Sequence, residues 1–197
     1  MSGPAPLILY LAPGSSSMAV HIALHEIGVP FEAKPMSFHR KDMKSPEYLA
    51  LNPEGAVPMM QIDGRPLTQV AACLFYLAKR YPEAKLLSAG DVETEAQAIS
   101  WMSFIASGIH PVARLGGEHV ANAWAIAERK FGDGEWALGR YSIVDIHLFR
   151  LYWRMKHRPN PASGFPRLDG LYARMMARPA VKKTIEAETA IGYELPP

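Results

Sequence analysis

Asn52-Pro53-Glu54-Gly55-Ala56-Val57-Pro58 runs directly into a short apolar stretch, Met59-Met60-Gln61-Ile62. Proline cannot donate to a sheet ladder, so a Val-Pro bond at the mouth of a strand needs a reason. A cis Pro58 closing a tight turn supplies one, because the neighbouring main-chain groups then stay unpaired and can grip a ligand. Asp63-Gly64 follows, between Met59–Ile62 and Arg65–Thr68, and predicts a two-residue hairpin.

Upstream, Leu7–Leu11 reads as a buried strand. Pro13-Gly14-Ser15-Ser16-Ser17 turns into a helix with Val20, Leu24 and Ile27 on one face. Gly28 and Pro30 stop it, and Phe31–Pro35 is a second strand. Strand, helix, strand makes a βαβ unit with parallel strands and a right-handed crossover. Residues 36–51 read as a polar loop with one or two helical turns. Downstream of the hairpin, a helix from Gln69 to Arg80 carries Val70, Cys73, Leu74 and Leu77 on one face. The order βαβ then ββα is the thioredoxin-like layout, expected over residues 1–84.

Leu87 to Glu95, with Ser88, Gly90 and Asp91, reads as a linker. Residues 92–197 then form an all-helical domain. Its expected helices run from Ala96 to Ile109, Ala121 to Lys130, Ser142 to His157, Leu168 to Met176 and Ala180 to Thr189. Ser142-Ile143-Val144-Asp145 opens the third of these as a capping box, with Asp in place of the usual Glu. That helix is apolar all round and belongs in the middle of a bundle.

Composition narrows the function classes. The 197 residues are 49% hydrophobic and 20% charged, enough apolar content for a substantial core. The formal charge is +2 with no basic run, which argues against a nucleic-acid partner. Cys73 is the only cysteine, so neither an intrachain disulfide nor a cysteine zinc site is expected. It reads as a buried structural thiol. His21 and His25 stand four apart on a helix without a third ligand, so no metal is expected. No positively charged leader precedes Leu7–Ala12, and no run approaches membrane-spanning length. The expected setting is the cytoplasm, with no membrane partner.

The pattern Asn-Pro-x-Gly-x-Val-Pro resembles the glutathione-site loop of the glutathione transferases. Other motifs follow in that family's order. Pro13 to Ile22 is similar to the first-helix entry of the bacterial beta class, and Trp101 to His110 to its fourth helix. The Gly-Arg-Tyr-Ser-x-x-Asp stretch ending at Asp145 is similar to the N-capping motif of the family's core helix. Phe165 to Leu168 and Ala177 to Val181 are similar to its C-terminal helices. The resemblance implies a thioredoxin-like domain followed by an all-helical one. It also implies glutathione as cosubstrate, a small electrophile as second substrate in the conjugation chemistry of detoxification, and a homodimer.

It further implies site residues. Ionising glutathione's thiol two units below ~8.5 requires about 2.7 kcal/mol of preference for the thiolate. One hydroxyl donor supplies ~1.5–3 kcal/mol and a helix N-terminus ~0.3–1. Ser16 stands where the beta class usually has cysteine, which argues against thiol-disulfide exchange. Ser15 follows Pro-Gly, where serine-type classes place their hydroxyl. Tyr10 is the alternative. Ser103, Ser107 and His110 correspond to beta-class positions that help hold glutathione, partly from the neighbouring subunit. Val57 and Pro58 would present the main chain, and Arg40 and Lys41 would meet the glycine carboxylate.

Two departures stand out. The family carries an acidic residue and a small hydroxyl residue at the start of the third helix, which bind the γ-glutamyl ammonium and carboxylate. The resemblance puts Gln69 and Val70 in these glutathione-binding places. Gln69 can accept a hydrogen bond without the charge, and Val70 offers only its backbone amide. The stretch from His110 to Ser142, interrupted by Gly116-Gly117, is short. Both favour a rival reading, a glutathione-transferase-like binding or interaction protein without catalysis.

Overall fold

Leu7–Leu11 forms strand β1, with Leu7, Leu9 and Leu11 buried and Ile8 and Tyr10 half-buried. In this computed structural model, which describes residues 7–88, 91–115 and 117–194, β1 is central to a four-stranded sheet. Strand β2, Phe31–Pro35, lies parallel to it from Leu7↔Phe31 to Leu11↔Pro35. Helix α1, Ser17–Ile27, connects them and ends on Gly28 at φ 78, a left-handed backbone that favours glycine. Strand β3, Met59–Ile62, runs antiparallel on the other side of β1. Strand β4, Arg65–Thr68, pairs antiparallel with β3, giving the order β2-β1-β3-β4. Asp63 and Gly64 both adopt positive φ, 49 and 78, as a primed hairpin turn requires. All four strands match the ranges read from sequence.

The loop at 36–51 contains a 3-10 turn at Asp42–Lys44 and helix α2, Pro46–Leu51. Ser45 caps α2 by accepting from the Tyr48 amide. Helix α3, Val70–Arg80, follows β4. Burial pushes the Cys73 thiol up to about 12, so it is a packing residue and not a nucleophile.

The chain divides into two compact units. Of the described residues, 7–77 together with 179–194 form the first, and those within 78–178 form the second. Helix α8, Pro179–Ile191, therefore groups with the sheet, a pairing that the 92–197 reading did not include. Three side-chain contacts account for it. Glu188 meets His21 Nδ1 at 2.9 Å and accepts from the Gly14 amide at 2.6 Å. Thr184 Oγ1 lies 2.8 Å from His25 Nδ1. Past the helix, Glu194 accepts from the Ser37 hydroxyl at 2.8 Å.

In the second unit, helix α4, Val92–Phe104, starts on an Asp91 cap that accepts from the Glu93 and Thr94 amides. The linker is thus shorter than expected. A π turn continues from Ile105 to Ile109. Helix α5, Gly117–Phe131, begins four residues before the expected Ala121. Gly90 and Gly116 lie outside the described residues. Helix α6, Ile143–Lys156, is buried at every residue except Arg154 and Lys156, as its all-round apolar pattern predicts. The Ser142–Asp145 capping box is present. Helix α7, Pro166–Ala177, completes the unit.

Candidate functional site

The register of the sheet gathers four loops at one of its ends. Tyr10 faces Met59 and Met59 faces Thr68, so the segments after β1, before β3 and after β4 emerge side by side. The Met36 amide bonds the Leu11 carbonyl at 2.7 Å, which brings the loop after β2 to the same end. The serine turn, Val57-Pro58 and Gln69-Val70, and the loop that carries Arg40 and Lys41, therefore leave the sheet at the same end, although they lie far apart in sequence.

Val57-Pro58 is cis. Its loop is held from within. Asn52, buried, takes the Glu54 amide on its Oδ1 at 3.1 Å and donates to the Ala56 carbonyl at 2.8 Å. Tyr48 donates to the same carbonyl at 2.7 Å, and Lys44 to the Gly55 carbonyl at 3.0 Å. A Cβ on Gly55 would stand 2.7 Å from Lys44 Nζ and 2.9 Å from the Met43 carbonyl oxygen, and φ there is +56, so only glycine fits. Among the described residues, neither the amide nor the carbonyl of Val57 takes part in a hydrogen bond. Its side chain packs against the small core cluster formed by Met43, Tyr48 and Met59.

The three serines separate by their bonding. Ser17 is fully buried; its hydroxyl donates to the Ala12 carbonyl and accepts the Ala12 amide, both at 3.1 Å. It ties the helix to the end of β1 and does not cap it. Ser15, also buried, lies 2.8 Å from Ser17 Oγ and accepts the Ser17 amide at 3.3 Å. With the Ser17 proton on Ala12, the Ser15 proton is committed to Ser17. Ser16 is half-exposed at the N-cap position of α1, and its side chain makes no capping bond. Tyr10 is half-buried, its ring 5.5 Å from that of Tyr48.

Arg40 is engaged with Asp42 at 2.7 Å, and this guanidinium holds the Asp42 carboxyl below the usual carboxylate range. Lys41, in a left-handed conformation at φ 57, forms no ion pair among the described residues. Gln69 takes φ 69 immediately before α3, and Val70 is buried. Gln69 Nε2 donates to Glu54 at 2.7 Å and the Thr68 hydroxyl donates to the other Glu54 oxygen at 2.8 Å. Glu54 is absent from the sequence reading; its place in the Asn-Pro-Glu-Gly turn, opposite the end of a hairpin, is the signal that could have found it.

Ser103, Ser107 and His110 belong to the second unit. Ser103 and Ser107 are exposed, and the Ser107 hydroxyl donates to the Ser103 carbonyl at 2.8 Å. The His110 amide bonds Ile105, five residues back, at 3.0 Å. That wider turn replaces the regular helical step before His110. Deeper in this unit, His147 is fully enclosed, its Nδ1 3.4 Å from the Met102 sulfur, and burial pulls its pKa down to about 3. Among the described residues no helix is long and apolar enough to cross a membrane.

Comparison with known proteins fits this arrangement. Residues 5–79 match the model of the glutathione S-transferase N-terminal domain, and residues 114–188 that of the glutathione S-transferase C-terminal domain. The chain is 32% identical to glutathione S-transferase GST-4.5 of Xanthomonas campestris pv. campestris, over 91% of this chain and 98% of the relative. The chain belongs to the glutathione S-transferase family. Among solved structures it is similar to the bacterial beta class enzyme of Sphingomonas chungbukensis, with TM-score 0.81 and 31% identity over 92% of this chain and 98% of that one. A sphingomonad glutathione S-transferase complexed with glutathione gives TM-score 0.83 and 28% identity, over 92% and 98%. Within the same family scatter, a maleylacetoacetate isomerase of Pseudomonas aeruginosa is 28% identical over 86% of this chain and 90% of the relative.

Proposed function

We propose that the chain conjugates glutathione to an electrophilic small molecule, with the Ser16 hydroxyl donating to the glutathione thiolate. One observation carries the choice: of three consecutive serines, two have hydroxyls bonded inside the fold, and only Ser16 stands free at the head of α1. A hydroxyl donor there, supported by the helix N-terminus, supplies the ~1.5–4 kcal/mol that lowers a thiol pKa into the neutral range. Val57 would pair its free amide and carbonyl with the main chain of the cysteinyl residue. Lys41, rather than the engaged Arg40, would meet the glycine carboxylate. Tyr10, Ser103, Ser107 and His110 are left without a chemical step.

The test couples binding to turnover. Titration calorimetry should show glutathione binding, and a panel of aryl halides and unsaturated carbonyls should contain at least one substrate. Ser16→Ala should cut turnover on the order of 10- to 100-fold with affinity little changed. Binding without turnover on any electrophile would select the non-catalytic rival.

The protein acts as a cytoplasmic homodimer in this reading. The exposed side of α4 supports it, with Val92 77% and Ile99 56% exposed among small residues such as Ala96 and Ser103. Light scattering should give twice the 21.8 kDa chain mass, and Ile99→Glu should give the monomer.

A further inference from the structure

The serine turn is tied down on both sides of Ser16. On the C-terminal side, buried Ser17 donates its hydroxyl to the Ala12 carbonyl and accepts the Ala12 amide. On the N-terminal side, Pro13 and Gly14 form a turn closed by the Ser15 amide on the Ala12 carbonyl at 3.0 Å. Gly14 takes φ 69, the positive value a type II turn requires at its third position. The closing bond uses the Ser15 amide, and the Gly14 amide goes to Glu188 of α8 at 2.6 Å, from 174 positions along the chain.

Glu188 is 0% exposed. A carboxylate taken out of water is costly unless its oxygens are satisfied, and an apolar residue of similar volume often serves packing as well or better. Helix α8 already presents Ala180, Val181 and Thr184 as a buried face, and Thr184 meets His25 of α1 at 2.8 Å. Docking of α8 therefore does not call for an acid at 188. The carboxylate adds a two-point tie: one oxygen takes the Gly14 amide, and the other lies 2.9 Å from Nδ1 of buried His21, in the second turn of α1. The turn before Ser16 and the helix after it are thus held to one side chain.

Resting on the Ser16 reading above, we propose that Glu188 is a positioning residue for the thiolate donor, setting through Gly14 and His21 where the Ser16 hydroxyl stands. Ser16 makes no capping bond of its own, so its place follows from the backbone on either side. Misplacing a catalytic group by about 1 Å can cost on the order of 100-fold in rate. Glu188 touches neither the thiol nor the second substrate in this assignment; it acts through the turn.

Ultraviolet titration of the thiol of bound glutathione, with kcat, KM and melting temperature measured on the same full chain, tests this. Glu188→Met fills the space without a strong acceptor. It should raise the thiol pKa by about half to one unit and lower kcat about tenfold, with KM for glutathione within about twofold of wild type. Glu188→Gln keeps an oxygen for the Gly14 amide and should return the thiol pKa close to the wild-type value. Thr184→Val removes the other contact between α1 and α8 without touching the turn, so it should lower the melting temperature and leave the thiol pKa in place. A thiol pKa unchanged in folded Glu188→Met would overturn the assignment, and so would an equal rise in Thr184→Val, because loosening α8 anywhere would then suffice. If Glu188→Met does not fold, Glu188→Asp carries the test: it draws the carboxylate back by one methylene, and a thiol pKa that does not rise overturns the assignment. Ser16→Ala separates the two readings. If it leaves the thiol pKa low, the Ser16 reading falls and takes the role of Glu188 with it; if it raises the pKa while Glu188→Met does not, only the role of Glu188 falls.

Discussion

The loop at 52–58 and the turn at 137–145 are both polar knots tied by one buried side chain. Asn52 is 1% exposed and Asp145 0%. Asp145 takes the Ala137 amide at 2.8 Å, the Ser142 amide at 2.8 Å and the Ser142 hydroxyl at 2.9 Å, while Ser142 caps α6. Its knot is closed, with each of these donors directed inward. Asn52 organises its loop with similar economy but leaves the Val57 main chain unpaired. The same chemistry thus does two things. Where hydrogen-bonding groups are exhausted internally, a fold is held; where a rigid loop holds some of them unused, a ligand can be held.

The largest effect should come from the closed knot. Asp145→Ala leaves buried donors unpaired at ~1–3 kcal/mol each, so the melting temperature should fall steeply while glutathione affinity stays within about twofold. An unchanged melting temperature would mean the knot is not structural. Asn52→Ala should give the contrasting pattern, a loss on the order of 1–3 kcal/mol of stability together with weaker glutathione binding. If affinity survives while stability drops, the loop is scaffold only. Ser142→Ala should cost ~0.5–2 kcal/mol through loss of the cap, measurable as a shift in the urea midpoint with catalysis intact.

The two units also respond to pH through burial. His147 has its pKa pulled down to about 3 and His25 to about 4, in each case first by burial. The unfolded chain binds these protons near pH 6.5 and the folded chain does not, so both groups withdraw stability as pH falls from about 6.5. Asp145 has the opposite sign. Desolvation lifts it to about 6, so its proton favours the fold below the ordinary carboxylate range and is lost as pH rises through 6. His147→Gln should flatten the acid-side loss of stability measured by urea unfolding between pH 6.5 and 4. An unaltered slope would place the titration elsewhere.

The strands, the hairpin turn and the capping box were legible in the sequence because each is local: alternation, a two-residue primed turn, a Ser-x-x-Asp spacing. The start of α4 was misplaced because Asp91 reads equally well as linker or cap. The grouping of α8 with the sheet was not legible, since it depends on Glu188 meeting residues 167 and 174 positions away. Glu188 does fall on the buried face with Val181 and Thr184, and an acid there signals a partner. The serine run named Ser15 and Ser16 as rivals, and only the hydrogen bonds among Ala12, Ser15 and Ser17 distinguish them. Glu54 escaped notice because its partnership with Gln69 spans the hairpin.

The central claim is that Ser16, left out of the internal network, holds the thiolate. Ultraviolet titration of the thiol of bound glutathione, in wild type and in Ser15→Ala, Ser16→Ala and Tyr10→Phe, measures it directly. Ser16→Ala should raise the thiol pKa by one to two units, about 1.4–2.7 kcal/mol, toward its free value, while Tyr10→Phe leaves it in place and Ser15→Ala changes mainly stability. A thiol pKa that stays low in Ser16→Ala and rises in either of the other two would contradict the account.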